Sequence, residues 1–110
     1  LAPGQWVFSK EEPPDVAHAW KITASVFQAL QHEVKSHGGQ FAVVMIPCAQ
    51  QVYKDLFAAV SAQAGEMAHA FDPSYPDRRV AAICREAGIP FFSMLGCLCF
   101  RQFCHSSIAT

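Results

Sequence analysis

The feature that most constrains this chain is an uninterrupted apolar run that begins after a pair of glycines and ends at a proline. The run covers residues 41–46, behind Gly38-Gly39 and before Pro47. Such a run, with a breaker on each side, is typical of a strand that is buried on both faces, as in a parallel sheet covered by helices. A second, weaker copy follows at residues 88–95. The two runs predict a layered α/β domain.

Three helical patterns surround the two runs. The first begins at about Ala17, with Asp15 as N-cap, and ends at Gly38-Gly39. Its apolar residues recur at intervals of three and four, which predicts one apolar stripe. That stripe comprises Trp20, Thr23, Ala24, Phe27, Leu30 and Val34. The second pattern covers residues 49–63, and the third begins near Tyr75, with Ser74 as a candidate cap, and ends at Gly88. We therefore expect the order helix–strand–helix–helix–strand, which is part of a three-layer α/β/α fold with parallel strands at about 41–46 and 91–95.

The chain divides into three parts by its local composition. Residues 1–16 are rich in proline and predict an irregular lead-in, in which Trp6, Val7 and Phe8 form either an edge strand or a packing anchor. Residues 17–95 make up the partial α/β domain. Residues 96–110 form an atypical Cys-rich tail without a clear period, for which a truncated or frame-disturbed coding sequence is one explanation. Residue 1 is Leu and no leader pattern follows it, so we expect the natural chain to start upstream.

The overall composition limits the classes of partner. The chain has 110 residues, of which 52% are hydrophobic and 15% are charged, with a net charge of −1. One domain with a packed core is therefore the natural expectation. Without a basic stripe we expect no nucleic-acid partner, and no apolar run approaches the length of roughly 20 residues that spans a bilayer.

The five cysteines do not follow a disulfide framework. Their number is odd, and three of them fall within the last fourteen residues. The absence of a C-x-x-C pair argues against a thiol-redox protein. We interpret Cys48 and Cys84 as small buried apolar residues.

The order of several motifs resembles the later half of an SGNH (GDSL-like) hydrolase domain. The motifs are Trp20-Lys21-Ile22-Thr23, Gly39 through Pro47, Gln51-Val52-Tyr53, Phe71 through Pro76, Ala87 through Phe92 and Phe100-Arg101-Gln102. The resemblance covers residues 17–103 and rests on packing motifs. It implies a flavodoxin-like/SGNH three-layer fold and serine ester chemistry, in which a serine attacks an acyl carbon and a late Asp-x-x-His block supplies the base. For the full-length parent it implies a small ester or an acylated glycan as substrate, and an exported or cell-envelope location.

The catalytic blocks of that family do not occur in this sequence. There is no Gly-Asp-Ser, and the chain contains no asparagine, so Gly-x-Asn is also missing. The spacing Asp15-x-x-His18 does occur, but it precedes the first strand pattern, and helix capping accounts for it. The serines lack the Gly-rich turn that exposes a nucleophile. We therefore assign no catalytic, cofactor-binding or metal-binding residue and expect no cofactor.

Two groups of residues have alternative interpretations. Cys97, Cys99, Cys104 and His105 could bind zinc, although C-x-C-x4-C-H is not a standard zinc spacing. Cys48 follows the first strand at the edge where open α/β sheets bind ligands, so it is either a nucleophile or a small residue in a tight turn. For the whole chain the first hypothesis is an inactive scaffold fragment of an SGNH-type esterase or O-acyltransferase. The alternative is a non-catalytic α/β ligand-binding or protein-interaction module.

Overall fold

The computed structural model describes residues 3–96 of the chain. It contains four α-helices, two β-strands and two 3-10 helices in those residues. The α-helices are α1 (Pro14–Ser36), α2 (Ala49–Val52), α3 (Lys54–Gln63) and α4 (Tyr75–Ala87). The strands are β1 (Val43–Met45) and β2 (Phe91–Ser93), and the 3-10 helices cover Pro3–Phe8 and Gly65–Ala70.

The two strands pair side by side and run parallel, as the apolar runs predict. Val43 lies opposite Phe91, and the register continues to Met45 opposite Ser93. Beyond β2, the Met94 N–H donates a hydrogen bond of 3.0 Å to the Met45 carbonyl. Both strands are shorter than the predicted segments of 41–46 and 91–95. The connection between them contains α2, α3 and α4, which is the kind of long crossover that parallel strands need.

Within residues 3–96, helices cover only one face of this sheet. Exposure alternates from residue 41 to residue 46, so that every second side chain points away from the core. On the uncovered side, Val44 is 57% exposed, Ile46 is 77% exposed and Phe92 is 60% exposed. We call these three side chains the bare face. The prediction of strands buried on both faces is therefore wrong for the described residues, because α1 and α4 both pack on the opposite side.

The covered face belongs to the larger of two hydrophobic clusters. Its buried members come from α1, from α4 and from the turn after α4, and the inward side chains of both strands pack against them. The buried residues are Trp20, Val80, Ile83, Cys84 and Ile89. Cys84 is fully buried, which confirms the prediction for that cysteine.

Helix α1 begins three residues earlier than predicted. Pro13 is the N-cap and Pro14 is the first helical residue, a position that proline favours because its φ angle suits the helix and no N–H is lost. Asp15 therefore lies in the first turn rather than at the cap, and it makes no capping hydrogen bond. The predicted stop is confirmed, since Gly38 has a φ of 79°, which glycine adopts readily.

The single helix predicted for residues 49–63 is two helices. Tyr53 is extended, with a φ of −101° and a ψ of 117°, and it separates α2 from α3. The apolar spacing from Val52 to Leu56 and Val60 continues across the break, so periodicity does not reveal it. Gln51, two residues before Tyr53, makes long-range hydrogen bonds that are described below. Such contacts are a tertiary constraint that the local pattern does not contain.

The lead-in packs against a second hydrophobic cluster. Phe8 is buried with Val60 and Phe71. Ser9 forms an isolated antiparallel bridge with Phe71, and the Asp72 N–H donates a hydrogen bond of 2.9 Å to the Phe8 carbonyl. Of the two interpretations for Trp6, Val7 and Phe8, the structure supports the packing anchor, since these residues lie in the 3-10 helix Pro3–Phe8.

The described residues thus form a helical layer on one face of a parallel pair, and they do not form the full three-layer α/β/α arrangement. None of the helices in residues 3–96 is long and apolar enough to cross a membrane. All but the first residue of the Cys-rich tail lies outside the described residues.

Candidate functional site

The candidate site is a polar cluster at the edge of the sheet where both strands end. Ser93 is the last residue of β2, and Cys48 follows β1 by three residues. Because the strands are parallel, their carboxyl ends meet at one edge, and this is the edge where open α/β sheets bind ligands. The cluster consists of Cys48, Gln51, Asp77 and Ser93.

Asp77 is the centre of the cluster. It lies in the first turn of α4 and is only 6% exposed. Its two carboxylate oxygens each accept one side-chain hydrogen bond, from Gln51 Nε2 at 2.8 Å and from Ser93 Oγ at 2.5 Å. A buried carboxylate is costly unless it is hydrogen-bonded, and the positive end of the helix dipole favours a negative charge at this place. The cluster therefore holds the carboxylate in an environment suited to it.

Gln51 connects Asp77 to the loop after β1. Its Nε2 donates a second hydrogen bond of 2.7 Å, to the Pro73 carbonyl. Its Oε1 accepts a hydrogen bond of 3.1 Å from the Cys48 N–H, which is one half of a capping box at the start of α2. One amide side chain thus joins α2, the turn before α4 and the carboxylate of Asp77.

Among the residues that the structure describes, no imidazole joins the cluster, although a serine nucleophile requires one. Within residues 3–96, no hydrogen bond joins a histidine to Ser93, Asp77 or Cys48, and all four described histidines are exposed. The Ser93 hydroxyl is also engaged twice, because it donates to Asp77 and accepts a hydrogen bond of 3.2 Å from the Leu95 N–H. This geometry fits a structural tie between β2 and α4, and it does not form a Ser-His-Asp triad.

The two described cysteines differ in their accessibility. Cys48 is exposed, which contradicts the prediction that it is buried. It lies in the turn after Pro47, where its Sγ is 3.7 Å from Gln51 Oε1, and the burial of a turn residue depends on neighbours that the sequence pattern does not show. Cys84 is buried, and burial raises the pKa of its thiol, which disfavours the reactive thiolate.

A second polar group fastens the lead-in to α4. Tyr75 Oη donates a hydrogen bond of 2.7 Å to Glu12 Oε2, and Arg79 Nε donates one of 2.9 Å to the same oxygen. Burial raises the pKa of the Tyr75 hydroxyl, and the hydrogen bond and charge of Glu12 raise it further. Arg79 also lies over the Trp20 ring, with its guanidinium carbon 5.8 Å from the ring centroid.

Arg78 is likewise paired with a carboxylate, that of Asp72. Burial acts to raise the pKa of Asp72, but two hydrogen bonds from Ser74 and the charge of Arg78 outweigh burial and hold that pKa below its ordinary value. Both arginines of the pair 78–79 are therefore engaged within the chain.

Two concave surfaces lie away from the polar cluster. A groove of about 390 Å³ on the outer side of α1 is lined by His18, Lys21, Ile22, Ser25, Val26 and Ala29. A cavity of about 100 Å³ is lined by Val7, Val16, Ala19, Trp20 and Thr23. Asp15 and His18, which have the Asp-x-x-His spacing, are exposed in the first turns of α1. The other described histidines, His32, His37 and His69, are exposed elsewhere on the surface.

The part of the chain that the structure describes contains no group of three His, Cys, Asp or Glu side chains that could hold a metal ion. The candidate ligands Cys97, Cys99, Cys104 and His105 lie outside that part.

The cluster of Gln51, Asp77 and Ser93 was not predicted from the sequence. Its members are separated by 26 and 16 residues, so no local spacing links them. The only signals are the position of Asp77 in the first turn of a predicted helix and of Ser93 at the end of a predicted strand.

Comparisons with protein-family models, with curated proteins and with solved structures find no significant match to this chain.

Proposed function

We propose that this chain is a scaffold part of an SGNH-type serine esterase or O-acyltransferase and is catalytically inactive by itself. The observation that carries the proposal is the parallel pairing of β1 with β2 across a helical crossover. Both faces of this pair carry apolar residues, and within residues 3–96 helices cover only one of them. Three-layer α/β/α domains need such strands, because helices cover both faces of their sheet. In this proposal the parent domain covers the bare face with its other helical layer.

The polar cluster supports the second half of the proposal. Ser93 and Asp77 satisfy each other and the neighbouring groups, and no imidazole joins them among the described residues. A scaffold that shapes one side of an acyl site needs a rigid carboxyl edge and no nucleophile of its own. The parent's substrate is then a small ester or an acylated glycan, in keeping with the family that the sequence resembles.

The proposal can be tested by sequencing the DNA on both sides of the segment that encodes this chain. We expect a Gly-Asp-Ser motif upstream and an Asp-x-x-His motif shortly downstream, and we expect the protein extended to include both to hydrolyse p-nitrophenyl acetate. The 110-residue chain alone should not. In-frame stop codons close to both ends of the segment, or turnover by the chain alone that a serine-specific inhibitor blocks, would contradict the proposal.

One observation favours a second candidate, a non-catalytic interaction module. The bare face presents three large apolar side chains, and surfaces of this kind are common in binding sites between proteins. A module of this type folds on its own, so its unfolding in urea should be cooperative. A chain that binds hydrophobic dyes strongly and unfolds without a transition would favour the scaffold part instead.

A further inference from the structure

We draw no further inference here: the strongest candidate, the exposed thiol of Cys48 in the polar cluster at the carboxyl edge of the sheet, belongs to the site already described and is a lone cysteine at which no second observation among residues 3–96 indicates a ligand.

Discussion

The Ser93 hydroxyl donates a hydrogen bond of 2.5 Å to the buried carboxylate of Asp77, which joins the end of β2 to the first turn of α4. Gln51 Nε2, on α2, donates a hydrogen bond to the other carboxylate oxygen of Asp77. Asp77 therefore accepts hydrogen bonds from both α2 and β2, and it connects these two elements at the carboxyl edge of the sheet. We expect Asp77 to contribute to the stability of the fold rather than to catalysis.

Replacing Asp77 with alanine should destabilise the chain by about 2–4 kcal/mol, because Gln51 and Ser93 would lose an acceptor in a buried place. Urea unfolding followed by circular dichroism measures this change. The control is Asp55→Ala, which removes an exposed carboxylate from the first turn of α3 and should cost about 0.5 kcal/mol through the helix dipole. Equal losses for the two variants would show that the hydrogen bonds of Asp77 contribute nothing beyond the dipole.

Replacing Ser93 with alanine should lower the free energy of unfolding by about 1–2 kcal/mol, since the Leu95 N–H and Asp77 each lose a partner. The background rate of p-nitrophenyl acetate hydrolysis should not change. Ser25→Ala is the matched control, because that exposed hydroxyl bonds only the Lys21 carbonyl of its own helix. A drop in hydrolysis with Ser93→Ala and not with Ser25→Ala would identify Ser93 as a nucleophile, against the structural interpretation.

The elements that sequence pattern predicts well are those with strong local causes. The breakers around residues 41–46 and the glycine at position 88 correctly place both strands, and their apolar composition correctly indicates parallel pairing. The pattern overestimates burial, because apolar composition shows that a face can be covered and does not show by what. Val43 and Val44 are both apolar residues of β1. Within residues 3–96, however, helices pack only on the face of the sheet that carries Val43.

The polar cluster and the helix break arise from contacts between distant residues. Gln51 reaches Pro73 and Asp77, which lie more than twenty positions away, and these bonds coincide with the end of α2 just before Tyr53. Local propensity contains neither contact. Similarly, Cys48 closely follows an apolar run and therefore resembles a small core residue in the sequence. Its exposure in the structure depends on how the turn after Pro47 leaves the sheet.

Asp72 should contribute stability that is lost in acid. Its pKa in the folded chain lies below the ordinary value of 3.8, because hydrogen bonds from Ser74 and the charge of Arg78 outweigh burial. A carboxyl with a lowered pKa stabilises the fold above its ordinary pKa, and this stabilisation disappears as the pH falls through the lower folded value. Between about pH 5 and about pH 2, the native chain should thus lose more free energy of unfolding than Asp72→Asn. Parallel slopes for the two proteins in urea titrations would contradict this.

The two described cysteines should differ in their reaction with a thiol reagent. In a variant with Cys97, Cys99 and Cys104 replaced by serine, we expect one thiol per folded chain to react quickly with Ellman's reagent. That thiol is Cys48, which is exposed, whereas Cys84 is buried and its thiol pKa is raised by burial. Adding Cys48→Ser should abolish the fast phase and leave one thiol that reacts only after denaturation. A fast phase that survives this substitution would mean that Cys84 is accessible.

Tyr75 should ionise only at a pH above the ordinary tyrosine range. The chain has two tyrosines, so in a Tyr53→Phe variant the absorbance at 295 nm reports Tyr75 alone. Burial and the Glu12 carboxylate raise the pKa of Tyr75 above 10.0, and we expect a titration midpoint above that value. Glu12→Gln should lower the midpoint, since the negative charge that opposes ionisation is removed.

The raised pKa of Tyr75 also makes stability depend on pH, because the fold favours the protonated hydroxyl. The stabilisation by Tyr75 is present below pH 10.0 and is lost as the pH rises through the folded value. Tyr75→Phe should therefore unfold more easily at neutral pH, by about 1 kcal/mol, and show a smaller alkaline loss of stability. A midpoint at the ordinary value, unmoved by Glu12→Gln, would show that the lead-in is not fastened to α4 through this hydroxyl in solution.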